Sequence, residues 1–198
     1  MGGRGSYSKV GGGTLSQSDF NKIVSAFGSD VFENPSQEQI ELGKSLGLTE
    51  NEVRLLHSYT YGLYEDVNGN IYTNKNGITT LTKDKLNRVL NKLDSFNGTT
   101  YRGFRTKNAE AYLSKIEKAG TFKYETFTSS SKSLDIVKRY ARNKGDIRFI
   151  IKSKSGKAIR RLSAAPGEDE VLFKAGTRFK FKSKTLRNGF WYVNIIEI

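Results

Sequence analysis

The chain has 198 residues, 36% of them hydrophobic and 12% aromatic, enough for one domain with a buried core, or one domain plus an arm. It has no cysteine and a single histidine, which excludes disulfides, thiol catalysis and cysteine or multi-histidine metal sites, and argues against a His-based triad. Its net charge of +13 is uneven: residues 1–100 hold 10 Lys and Arg against 11 Asp and Glu, whereas residues 101–198 hold 23 against 9.

Residues 1–18 read as a flexible Gly- and Ser-rich arm, and residues 19–198 as a single domain with a helical part over 19–98 and a β part over 99–198. Gly3-Arg4-Gly5 is no phosphate loop, because neither a preceding strand nor a Gly-Lys-Ser/Thr accompanies it. Helical character over 19–48 breaks at Asn34-Pro35, with Ser36 as the next N-cap. Thr49 and Glu52 fit a capping box, and the helix that follows places Val53, Leu56, Tyr59 and Leu63 on one face, with His57 as a packed helix residue. Asp66-Val67-Asn68-Gly69-Asn70 fails the calcium-loop pattern at Ile71 and Gly77 and reads as a polar turn. Leu86, Val89, Leu90 and Leu93 keep helical spacing.

From Thr99 the pattern becomes mainly β. Thr100–Phe104 reads as a strand, about 106–119 as a helix closed by Gly120, and Phe122–Thr128 as a strand ended by Ser129-Ser130-Ser131. Ser133 caps a helix whose buried stripe is Leu134, Val137, Tyr140 and Ala141, and further strands are read at 147–152, 158–162, 169–173, 178–181 and 190–196. In Glu168-Asp169-Glu170-Val171-Leu172-Phe173, strand alternation points Glu168 and Glu170 one way and Asp169 the other, delivered by a mobile loop at Ala164-Ala165-Pro166-Gly167. The basic half attracts an anion: a nucleotide, a nucleic acid or an acidic protein surface. No apolar run approaches membrane-spanning length and Met1–Ser6 carry no apolar signal core.

Three polar elements stand in sequence, and together they resemble a family. Tyr101-Arg102-Gly103, then Phe127-Thr128-Ser129-Ser130-Ser131, then Glu168-Asp169-Glu170-Val171-Leu172 are similar to the Arg, Ser-Thr-Ser and Glu-x-Glu signature of mono-ADP-ribosyltransferases. The resemblance is to clostridial exoenzymes, binary-toxin enzyme components, and phage or bacterial effector relatives. Tyr59-Thr60, Tyr64 and Asn68 resemble the helix ahead of that family's catalytic sheet, so the likeness covers about residues 36–198. Ser130 stands where the family has Thr, and Tyr140 and Arg142 are the nearest matches to its nicotinamide-side loop.

The resemblance implies an α+β fold, a helical N-terminal half packed on a mixed, mainly antiparallel two-sheet β core with an NAD cleft. It implies that Glu170 accepts a hydrogen bond from the ribose 2′-hydroxyl, that Ser129 holds that carboxylate, and that Glu168 faces the acceptor. Arg102, Tyr101, Gly103, Ser129, Ser131 and Arg142 would bind NAD, which serves as substrate with no metal. The residue types suit the chemistry. A carboxylate stabilises the oxocarbenium-like centre formed as nicotinamide leaves. A hydroxyl can lock its rotamer, and a guanidinium fork suits a phosphate. Glu at position 168 resembles the arginine-specific branch, Gln the asparagine-modifying one. A carboxylate can bind a guanidinium and take its proton, and a carboxamide cannot act as that base.

The function implied is NAD-dependent mono-ADP-ribosylation of an arginine on a target protein, with release of nicotinamide. The alternatives are an NAD glycohydrolase on the same site, or a basic nucleic-acid-binding module without catalysis, suggested by Phe179-Lys180-Phe181-Lys182. The expected partner is a target protein with an accessible arginine, acidic or associated with nucleic acid. The protein itself is expected to be monomeric, with no membrane association. It is expected in the cytoplasm of the producing or target cell, as a phage-delivered or secreted effector without a conventional signal peptide.

Overall fold

Ser16, Ser36 and Thr49 open three helices by one local device, satisfying N–H groups that a first helical turn leaves without partners. Ser16 Oγ accepts from Asp19 N at 3.1 Å at the head of α1 (Gln17–Phe27). Capping boxes pair Ser36 with Gln39 at α2 (Gln37–Ser45) and Thr49 with Glu52 at α3 (Glu50–Ser58). The computed structural model describes residues 13–70 and 77–198. Leu15 is buried, and Gln17 and Ser18 form the first turn of α1, so ordered structure begins before residue 19; the rest of the expected arm, over 1–12, lies outside the described residues. The Glu52 carboxylate, 1% exposed, also takes Lys92 Nζ at 2.7 Å and Leu15 N at 3.4 Å, tying α3 to α5 (Ile78–Lys92) and to the start of the domain.

A π-helical turn, Tyr59–Leu63, carries α3 into α4 (Tyr64–Asn70). The polar turn expected at Asp66–Asn70 is therefore helix. Val67 is fully buried, and the Asn68 side chain donates to Tyr59 Oη at 3.2 Å and accepts from Phe127 N at 3.2 Å. Those tertiary contacts override the weak helix propensity of Asn and Gly. Ile71 of the calcium pattern lies outside the described residues.

The β half has eight strands: β1 (Gly98–Phe104), β2 (Thr121–Lys123), β3 (Thr128–Ser131), β4 (Ile147–Ser153), β5 (Lys157–Ala158), β6 (Glu170–Phe173), β7 (Arg178–Arg187) and β8 (Phe190–Glu197). Their order is β2-β7-β8-β4-β1-β3-β6-β5, and every pairing is antiparallel except β4 with β8. β1 pairs with β4 along its whole length but with β3 only at Tyr101 opposite Ser131. The two sheets of the core thus form one hydrogen-bonded run, pinched at a single residue pair. The strand expected over Phe122–Thr128 splits into β2 and β3, which lie far apart in the order, and the serine run is β3 itself rather than its end. The 158–162 strand shrinks to β5, and β7 runs on to Arg187.

Each side of the pinch has its own apolar cluster. Ile23, Leu55, Leu56, Leu86 and Leu90 pack the helical half against Phe127 and Leu172. Leu113 and Ile116 of α6 (Ala109–Ala119) pack on Phe149, Ile151, Val193 and Ile195. Each such side chain contributes roughly 1.5–3 kcal/mol when fully buried. On the other face of β1 lies α7 (Leu134–Tyr140), whose C-terminal neighbour Ala141 offers its carbonyl to Arg148 Nη2 at 2.8 Å. Of the expected stripe, Val137 and Ala141 are buried, but Tyr140 is 48% exposed. Among the described residues, no helix is long and apolar enough to cross a membrane.

Candidate active site

Where β1 and β3 part beyond their single pairing, a cleft of about 680 Å³ opens between the π turn, the serine strand, α7 and the acidic turn. Tyr101, Arg102, Gly103, Ser129, Ser131, Glu168 and Glu170 all line it, so residues up to 69 positions apart in the chain meet in one cavity. Arg142 does not line it; it lies exposed in the loop after α7. His57 is packed in the helical half, donating from Nδ1 to Leu162 O at 3.1 Å. Among the described residues, no group of three or more His, Cys, Asp or Glu could hold a metal.

The three serines of β3 do three different jobs. Ser129 hydrogen-bonds the Glu170 carboxylate. Ser130 Oγ donates to Val171 O at 2.8 Å and ties β3 to β6. Ser131 Oγ donates to Glu168 O at 2.6 Å and accepts from Ser133 N at 3.0 Å, fixing the turn that carries the first glutamate.

Glu170 opens β6 and is 5% exposed. Burial pushes its carboxyl up to about 7; the Ser129 hydroxyl pulls back, nearby Glu168 pushes the same way as burial, and the Arg102 guanidinium opposes it. The consequence for stability has a definite sign. Between the ordinary value of 4.5 and about 7, the folded chain holds a proton at Glu170 that the unfolded chain has released. This group's contribution therefore declines as pH rises through that window and then levels off. In thermal unfolding at several pH values, Glu170→Gln is expected to remove this decline and to raise the melting temperature above pH 7 relative to the unmodified chain.

Glu168 reaches the cleft by a route other than strand alternation. Pro166–Glu168 form a 3₁₀ turn, and Asp169 follows in the left-handed conformation, φ 47 and ψ 49. Only Glu170 belongs to the strand, and the kink at Asp169 turns both glutamates onto the same wall. Lys132 N donates to Asp169 O at 3.1 Å and holds the kink. Tyr140 Oη donates to the Glu168 carboxylate, a bond that pushes the phenol up to about 12. The preceding loop, expected to be mobile, is fastened from the helical half: Gln39 Nε2 donates to Ser163 O at 3.1 Å, and Ala164 N donates to Thr60 Oγ1 at 2.9 Å.

Arg102 Nη1 donates to Ser129 O at 2.6 Å, bridging β1 to β3 beside the pinch, and its guanidinium lies 5.9 Å from the Tyr124 ring centroid. Arg102 also lines the cleft, and its Nε is buried without a hydrogen-bond partner. Gly103 lets α7 approach β1 closely. A Cβ there would sit 3.0 Å from Tyr140 Cβ and 3.1 Å from both Ala141 N and Val137 O, so a side chain would require α7 to give way slightly. Sequence reasoning gave Tyr140 both to a buried stripe and, by resemblance, to the nicotinamide side of the site, and it missed the wall that Ile136 supplies; the structure places Tyr140 on the cleft. The spacing of Val137 and Ala141, which fill the stripe by themselves, was the signal that Tyr140 lies at its edge.

The chain matches the family profile described as NAD:arginine ADP-ribosyltransferase over residues 34–198. A curated relative, the NAD(+)–protein-arginine ADP-ribosyltransferase Tre1 of Serratia proteamaculans (strain 568), is 33% identical over 109 residues, covering 55% of this chain and 22% of Tre1. Among solved structures, the ADP-ribosyltransferase HopU1 of Pseudomonas syringae pv. tomato DC3000 superposes with a TM-score of 0.72 at 19% identity, covering 91% of this chain and 96% of that one. The ADP-ribosyltransferase Vis, a toxin of Vibrio splendidus, does so in its complex with agmatine with a TM-score of 0.65 at 22% identity, covering 84% and 87%. At these identities the two structures show a shared fold. With the profile spanning most of its length, the chain belongs to the NAD:arginine ADP-ribosyltransferase family.

Proposed function

We propose that the protein is an NAD-dependent mono-ADP-ribosyltransferase that modifies an arginine of a target protein and releases nicotinamide. The observation that carries this reading is the convergence of Arg102, Ser129, Glu168 and Glu170 on one cleft. In the reaction, the C–N bond between nicotinamide and ribose C1′ breaks, and its electron pair leaves with neutral nicotinamide. Ionised Glu170, held by Ser129, accepts a hydrogen bond from the ribose 2′-hydroxyl and stabilises the positive charge developing at C1′. Arg102, on the cleft wall, offers its guanidinium to a phosphate of NAD. Glu168 binds the incoming guanidinium and takes its proton as the nitrogen attacks C1′. The agmatine bound in Vis, a guanidine compound, supports this choice of acceptor. Arg142 is outside the cleft and has no part in the proposal. The proposal extends to a target protein in the cytoplasm of another cell, reached by secretion or by phage delivery; that a structural relative is a toxin favours a foreign target.

Incubation with adenine-labelled NAD and agmatine tests the reading. Label should move to agmatine with one nicotinamide released per transfer. Loss of NAD with no labelled acceptor would identify a glycohydrolase instead, and an inert NAD pool with strong salt-dependent affinity for DNA or RNA would identify a binding module.

A further inference from the structure

The sheet face opposite α6 is covered by α7 only near Gly103, leaving the far ends of β1, β4, β8 and β7 open to solvent. On this face a shallow trough of about 440 Å³ runs over Ile150, Lys152, Lys182, Asn194 and Ile196. Register places Lys180 opposite Ile196, and Ile196 beside Lys152, so lysines flank an apolar floor. The cross-strand neighbours on this face, Thr99, Ile150, Asn194 and Ile196, include no acid. Among the described residues, Lys152, Lys180 and Lys182 take part in no ion pair. Three exposed, uncompensated cations around two isoleucines make a field that an anionic partner would complete. The trough also adjoins the reaction site: Ile150 pairs with Tyr101, which lines the cleft.

We propose that this open face docks an acidic segment of the target protein, with apolar side chains on Ile150 and Ile196, and so presents a neighbouring arginine to Glu168. The proposal rests on the transferase reading and deepens it by naming how the target is held. A protein segment suits the trough better than a nucleic acid, because its floor is aliphatic and offers no aromatic faces on which bases could stack.

The test uses the whole chain and two fluorescent peptides with one arginine each, one beside a run of Glu and Ile, the other with Gln in place of Glu. Binding is read by anisotropy at low salt, independently of catalysis, and transfer to the peptides and to agmatine is read with labelled NAD. The acidic peptide should bind about tenfold more tightly than its Gln counterpart. Combined Lys152→Glu, Lys180→Glu and Lys182→Glu should abolish that preference in binding and in peptide transfer while agmatine transfer stays unchanged. An equal reversal on the α6 side, Lys107→Glu, Lys115→Glu and Lys118→Glu, should keep it. A preference that survives the trough reversal overturns the proposal, and so does equal loss in both triple variants, which would trace it to net charge. A single-stranded DNA oligonucleotide that binds the trough while the acidic peptide does not also overturns it. If the unmodified chain fails to modify agmatine, the transferase reading falls, and the anisotropy data still decide the docking face.

Discussion

Glu170→Gln is expected to lower NAD cleavage and transfer to agmatine together, by about a thousandfold or more. A thousandfold is about 4 kcal/mol of barrier, the size of effect seen when one preorganised charge partner is removed from a reacting centre. The change is nearly isosteric. The carboxamide oxygen can still meet the Ser129 hydroxyl, and the β3–β6 pairing of Ser131 with position 170 is a backbone matter that the substitution leaves alone. What disappears is the negative charge opposite C1′. Initial rates of nicotinamide release, taken alongside circular dichroism of both proteins, separate lost chemistry from lost fold. Turnover near that of the unmodified chain would remove Glu170 from the reaction and with it the proposed mechanism.

Glu168→Gln should divide the two activities instead. Transfer to agmatine is expected to drop by about 10²–10³, the range for a general base, while water-dependent loss of NAD persists. The Gln side chain can still accept from Tyr140, and Ser131 binds the backbone carbonyl of position 168 and not its side chain, so the turn keeps its shape. Only the capacity to hold a cation and accept its proton is lost. Measuring labelled agmatine and free ADP-ribose in the same reaction gives the ratio directly. If both products fell in parallel, Glu168 would belong to bond breaking rather than to the acceptor.

Local chemistry made much of this architecture readable. Ser36 and Thr49 announce their helices because a cap needs only residues three positions away. The Arg, serine and glutamate elements are placed on one site by their resemblance to the family signature, and the structure brings them to one cleft. What escaped was set by distant partners. Asn68 sits in a helix because Tyr59 and Phe127 engage its side chain. Phe122–Thr128 could not show its break, since β2 belongs with β7 and β3 with β6, on opposite sides of the pinch. Helical spacing put Tyr140 in the core while the resemblance put it near the site; α7 rests on Gly103, which leaves the ring directed at Glu168. The conclusion that both glutamates face one way was right, but alternation was the wrong reason for it.

The left-handed backbone at Asp169 limits what can stand between the two glutamates. A residue with φ 47 carries a steric penalty that Gly escapes and that Asn and Asp tolerate, whereas a branched Val or Ile meets it in full. The middle letter of the acidic triplet is therefore constrained by torsion angle, and its carboxylate adds an ion pair to Lys132 at 3.7 Å. Asn or Gly there would leave both carboxylates aimed as they are. Isoleucine would straighten the corner and swing one acid out of the cavity without altering either glutamate.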